Sequence, residues 1–190
     1  MDTVRRDALA VLRGGDADAK AAMARGLRLE GPCGEDEALP EPAGLPGRPE
    51  RPQLVPHTEL KQRSMRTVEG RAALLHALAH IELNAMDLAA DIVWRFARMP
   101  PAFYRQWVVV GREEALHFQL LRDHLRSLGF DYGSFPAHNG LWEMAQKTRH
   151  DLLARLALVP RTLEARGLDA SPPIKAKLVG AGDLRAGEIL

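Results

Sequence analysis

A chain of 190 residues, 46% of them apolar, has material for one ordinary domain and its core. With 26 basic and 25 acidic residues its formal net charge is +1, so no bulk attraction draws it to nucleic acid or to an anionic membrane surface. The lone cysteine, Cys33, excludes an internal disulfide, and no run approaches the ~20 apolar residues of a membrane span.

The opening MDTVRRDALAVLRGG carries acidic residues and no uninterrupted apolar core, unlike a secretory leader, so a cytoplasmic location is expected. Aromatic residues are only 5%, while Ala and Leu dominate, which leans toward helices. Residues 2–28 predict two short helices broken at Gly14-Gly15, the second capped by Asp16 or Asp18. From Gly31 to Pro56 seven prolines exclude both helix and central strand. The even spacing of LPGRPERPQLVP favours an extended, polyproline-like strap.

Thr67–Arg98 predicts a long helix in which Leu75, Leu78, Ala79, Glu82, Ala85, Met86, Ala89 and Val93 form one stripe. Met99-Pro100-Pro101 ends it, and a second helix is predicted over Pro101–Leu128, stopped by Gly129. After the turn-rich FDYGSFPAHNG, a third helix is expected from Leu141 through LWEMAQKTRHDLLARLAL to Pro160. There it kinks or restarts, to end at Gly167. A break at Pro172-Pro173 precedes a last helical piece from Ile174 to Leu190. The expectation is short helices over 1–30, a Pro-rich strap over 31–66, and an all-α antiparallel bundle over 67–190 with its fourth helix truncated.

Two carboxylates sit on faces that should be apolar. Glu82 is surrounded at helical spacing by Leu75, Leu78, Ala79, Ala85, Met86 and Ala89. Glu114 shares a face with Trp107, Val110, Phe118 and Leu121, and with His117 three residues on. A buried carboxylate costs several kcal/mol unless a proton, an arginine, a polar network or a cation offsets it. One Glu on one helix and Glu-x-x-His on the next matches half the ligand pattern of the four-helix di-iron and di-manganese proteins. Carboxylates with an imidazole suit iron or manganese. The next lone glutamate is expected on the third helix, with Glu164 as candidate and Glu143 as competitor. Glu164 is as readily a surface residue pairing with Arg161 or Arg166.

Other polar residues have plainer readings. His76 and His80 continue a stripe with Asn84, Asp87 and Asp91, rotated away from Glu82, which predicts a polar network or a wet face. His138 lies in a loop, where helix capping or exposure is expected, and Trp94, Trp107 and Trp142 are packing residues. Phosphate loops, nucleophile elbows and zinc cysteine pairs are absent.

The stretches GRAALLHALAHIELNAMDLAADIVWRF, EEALHFQLLRDHLRSLGFDYGSFPAHNGLWE and DLLARLALVPRTLEARGLD resemble a bacterial ferritin-like group, domain of unknown function family 455. The resemblance runs from LPGRPERP to the end. It implies a ferritin-like bundle with a di-metal site, iron or manganese, whose ligands fall on Glu82, Glu114, His117 and Glu164. A more distant likeness to the bacterial tRNA hydroxylase lends an oxygenase analogy. The family's last pair would follow GDLRAGEIL in a segment resembling Asp-Glu-x-x-His-Val, so the site is expected to be incomplete in this chain. An incomplete bundle exposes its seam, which would favour homo-oligomers. The competing expectation is a non-enzymatic helical scaffold whose buried acids are paired with arginines.

Overall fold

The computed structural model describes residues 2–190, and the side chains of all of these except 160–169. Every regular element among them is helical, and extended pairing is confined to an isolated bridge between Leu54 and Ala137. None of the described helices is long and apolar enough to cross a membrane. The chain forms two compact units, Met1–Glu50 with Glu82–Gln119, and Arg51–Ile81 with Leu120–Leu190. Helix α3 (Val68–Arg95) and helix α4 (Pro101–Ser127) each contribute to both.

In the first unit α1 (Val4–Arg13) buries Val4, Ala8, Val11 and Leu12, one side of a helix. Helix α2 (Ala17–Arg25) starts at Asp16, whose carboxylate accepts from Ala19 N at 2.8 Å, a cap contributing about 1 kcal/mol. The strap then passes back over α1. Gly47 N donates to Leu12 O at 2.8 Å, and a Cβ on Gly47 would overlap Arg13 O, so only glycine fits there.

The stripe His76–His80–Asn84–Asp87–Asp91 is buried rather than a wet face, each member 4% exposed or less and each hydrogen-bonded to a residue off the stripe. Its first-unit half receives the arm. Lys20 Nζ meets Asp87 Oδ1 at 2.7 Å and Gly47 O at 2.6 Å, with both ionic side chains 1% exposed. Arg48 donates to Asn84 Oδ1 at 3.1 Å, and Arg95 bridges Asp91 to Glu41. Arg5, also buried, donates to Trp94 O at the end of α3 and to Gly34 O and Glu37 O of the strap. A cation at a helix C-terminus satisfies orphan carbonyls and the macrodipole together.

Within this unit α3 and α4 form an antiparallel hairpin. Tyr104 donates to Phe96 O at 2.9 Å, and a Cβ on Gly111 would lie 3.3 Å from that of Ala89. The helices therefore approach closely one turn from Glu114.

In the second unit Thr67 caps α3, accepting from Gly70 N at 3.0 Å. At the C-terminal end of α4, Gly129 takes φ 84° and Phe130 N reaches Leu125 O at 3.1 Å, a Schellman stop at the predicted place. The predicted third helix is corrected. It breaks into α5 (Gly140–Lys147) and α6 (Leu152–Leu156), because Asp151 caps a new helix by accepting from Ala154 N, while Thr148 Oγ1 donates back to Met144 O. Arg155, 1% exposed, holds the break by donating to Thr148 Oγ1 and Ala145 O.

The breaks predicted at Gly167 and Pro172-Pro173 do not occur. A π turn (Ala157–Arg161) absorbs Pro160, and α7 (Thr162–Gly180) runs through both later sites. Proline's φ is already helical, so the pair gives up two N–H donors while the helix continues on either side. Helix α8 (Leu184–Ile189) is capped by Asp183, which also receives His124 Nε2 at 2.8 Å.

Breaking the Lys20–Asp87 pair from one side leaves a buried charge without its partner. Asp87→Ala should lower unfolding stability by about 3–5 kcal/mol, whereas Lys20→Met with Asp87→Leu should recover most of it, as read by urea denaturation.

Candidate metal centre

Glu82 projects from α3 and Glu114 and His117 from α4, across the hairpin that the Gly111–Ala89 approach holds narrow. Ligand-capable atoms of the three lie within 4.8 Å of one another, and among the described residues this is the group that could hold a metal ion. His117 Nδ1 stands 3.5 Å from Glu114 Oε2 and 3.8 Å from Glu82 Oε2. Ligand atoms bonded at about 2.1 Å to a first-row cation stand about 3–4 Å apart, so this donor set fits one ion.

The cluster is partly exposed. Glu82 and Glu114 keep 21% and 23% of their side-chain surface exposed, and His117 keeps 49%. Of the expected apolar frame, Leu75, Ala79, Met86 and Ala89 on α3 and Phe118 and Leu121 on α4 are buried, whereas Leu78, Ala85, Trp107 and Val110 are half-buried, and Glu113 faces solvent.

Electrostatics show how the site is neutralised without a cation. Burial pushes the Glu82 carboxyl up to about 7, with His117 opposing and Glu114 reinforcing the shift. Burial acts the same way on Glu114, but His117 and Glu82 outweigh it and hold that carboxyl below its usual range. The two carboxylates, Glu114 first, push His117 up to about 10. At neutral pH the imidazole is charged, Glu114 is ionised, and a proton is partly retained on Glu82. No arginine or lysine contributes to either glutamate's shift. The arginines serve Asp91, Asp131 and backbone carbonyls instead. Arginine pairing of these acids, the mark of the scaffold expectation, is therefore absent among the described residues.

Of the other candidates, the Glu164 side chain lies outside the described residues, and Glu143 is exposed and not part of the cluster. His138 accepts from Gly140 N at 3.2 Å, at the start of α5, a capping role. Sequence reasoning missed the destinations of Lys20 and Arg48. Their partners stand 67 and 36 residues away, and no local pattern marks the pairing.

Residues 13–190 match the family described as "Protein of unknown function (DUF455)". The chain belongs to this family. A relative from Haemophilus influenzae (strain ATCC 51907 / DSM 11121 / KW20 / Rd), described as "Uncharacterized protein", is 51% identical over 149 residues, 75% of this chain and 52% of the relative. The chain thus spans about half the length of the curated relative it matches. No solved structure matches.

For this DUF455 protein, cation binding must displace the His117 proton and whatever proton Glu82 holds. Affinity for Mn2+ should therefore rise with pH, by about a hundredfold per unit near pH 6, where two protons are released per ion, and by about tenfold per unit near pH 8, where one is released. Calorimetry in buffers of differing ionisation enthalpy reads both quantities; pH-independent binding would remove these ligands from consideration.

Proposed function

We propose that the chain is a ferritin-like metal protein whose Glu82, Glu114 and His117 hold iron or manganese for oxygen-dependent oxidation of a substrate. The observation that carries this reading is the convergence of two carboxylates and one imidazole, balanced only by protons, across a narrow helical hairpin. The ferritin-like relationship rests on the same pattern, one Glu facing one Glu-x-x-His, which is half of the di-metal carboxylate set. Glu164 remains the proposed further ligand that would turn one ion's donor set toward a pair.

The metal would supply one-electron redox chemistry toward dioxygen. The chain's own residues do the rest. Glu114, already ionised, offers its charge at once, while Glu82 yields its proton and becomes an anionic ligand. His117 presents Nδ1 between the carboxylates and, once deprotonated, donates a neutral nitrogen. Its half-exposed ring leaves the centre open to solvent on one side, the side from which a substrate would approach.

Metal analysis after reconstitution with Fe2+ or Mn2+ is expected to give one ion per chain, and Co2+ should show visible bands of a nitrogen–oxygen site. Glu114→Ala should weaken binding by about a hundredfold and abolish the Co2+ spectrum. Unchanged metal content and spectrum in that variant would sink the proposed site.

A further inference from the structure

The three ligands stand at mid-length of the α3–α4 hairpin. Glu82 is 14 residues from Val68 and 13 from Arg95, the two ends of α3. Glu114 is 13 residues from both Pro101 and Ser127, the ends of α4. From the turn inward the helices keep one antiparallel register, pairing Phe96 with Tyr104, Ala89 with Gly111 and Glu82 with His117. The first of these pairs and the last are about 20 Å apart along α3.

On the cluster's own face the hairpin is only partly covered. Ala85 on α3 and Trp107 and Val110 on α4, at helical spacing from the ligands, are half-buried, and His117 is 49% exposed. Across α4 from Val110 and His117, Val108 and Ala115 are fully buried. One side of the helix is packed, and the ligand side is left with apolar surface in water.

The donor count points the same way. Four-helix carboxylate proteins place four carboxylates and two imidazoles around a pair of ions, as two lone glutamates and two Glu-x-x-His pairs. This hairpin carries one of each, half the set, and no further ligand joins them among the described residues. A two-fold axis doubles that half, on two helices, into the whole set on four. The mid-length position decides the fit: about an axis through it, two hairpins overlap along their full length and neither overhangs. Charge closes too. Four carboxylates, two divalent cations and two neutral imidazoles sum to zero, so the seam between the hairpins covers no net charge.

We propose that a second copy of this chain completes the metal centre, the two hairpins pairing about a two-fold axis at Glu82, Glu114 and His117. This rests on the metal reading above and adds to it the source of the missing donors. Ala85, Trp107 and Val110 of both copies form the apolar seam, and substrate reaches the centre along it.

The test uses the whole chain and Mn2+, followed by sedimentation equilibrium, metal analysis and electron paramagnetic resonance. Two ions per dimer are expected, with the spectrum of an exchange-coupled pair in place of the hyperfine sextet of isolated Mn2+. A site that the partner completes must in turn tighten the dimer, so saturating Mn2+ should strengthen association at least about tenfold. His117→Ala, shown to be folded by circular dichroism, should lose that strengthening. Glu164→Ala should keep both the strengthening and the coupled spectrum. One ion per chain with an isolated-ion spectrum and unaltered association would overturn the pairing and leave the metal reading standing. Absence of bound metal would overturn both. Strengthening retained in His117→Ala, or a coupled spectrum that Glu164→Ala removes without changing association, would also overturn the pairing.

Discussion

The buried ion pair between Lys20 and Asp87 is what fastens the first unit. Both side chains are withdrawn from water, a cost of several kcal/mol per ion that the pair's own attraction must offset. It is offset because Lys20 also donates to Gly47 O, and because Arg48, next in the strap, satisfies Asn84 one turn away on the same helix. Arg5 completes the arrangement at the C-terminal end of α3. The Pro-rich strap has no helix or sheet of its own to supply backbone partners over residues 26–50, so these side-chain contacts take their place. A proline-rich segment starts with fewer unfolded conformations, which makes fastening it in this way less costly.

The same helix treats its acids in two ways. Asp87 and Asp91 face the arm and are closed by Lys20 and Arg95, cations that cannot leave without unfolding the contact. Glu82, five residues before Asp87 and on another face, has no such partner; its field is another carboxylate and an imidazole. The difference follows from side-chain length and direction on the hairpin. Gly111 lets α4 close on Ala89, so Glu114 and His117 reach Glu82 directly and leave no room for a guanidinium between them.

Much of this was legible in the sequence. The two long helices end within about three residues of where proline and glycine place their ends, because those residues act through local backbone sterics. The Glu82 and Glu114/His117 cluster was legible too, since charged groups at helical spacing on apolar stripes have few explanations. The region after Gly129 was less so. Asp151 and Thr148 end and start helices through side-chain hydrogen bonds that apolar periodicity does not register, and Arg155 is buried in the break itself. Pro172-Pro173 stay within a helix that local rules would stop. The polar stripe of α3 was foreseen, but its partners were not, because Lys20 and Arg48 lie in segments whose docking depends on the whole first unit.

A carboxylate closed by lysine is a structural element; one balanced by protons is a reversible one. A cation arriving at Asp87 would have to displace an ammonium held also by Gly47 O, and to do so in a space that excludes water. At Glu82 it need displace only protons, through an opening that leaves half of His117 in solvent. The Lys20–Asp87 pair is the more completely desolvated, and only the second arrangement leaves lone pairs that can be freed without disturbing packing. Natural chains tend to keep such imperfectly compensated polar groups where they are used. That asymmetry within one helix is the physical reason for proposing a metal site at Glu82, Glu114 and His117, and for assigning stability to Lys20 and Asp87.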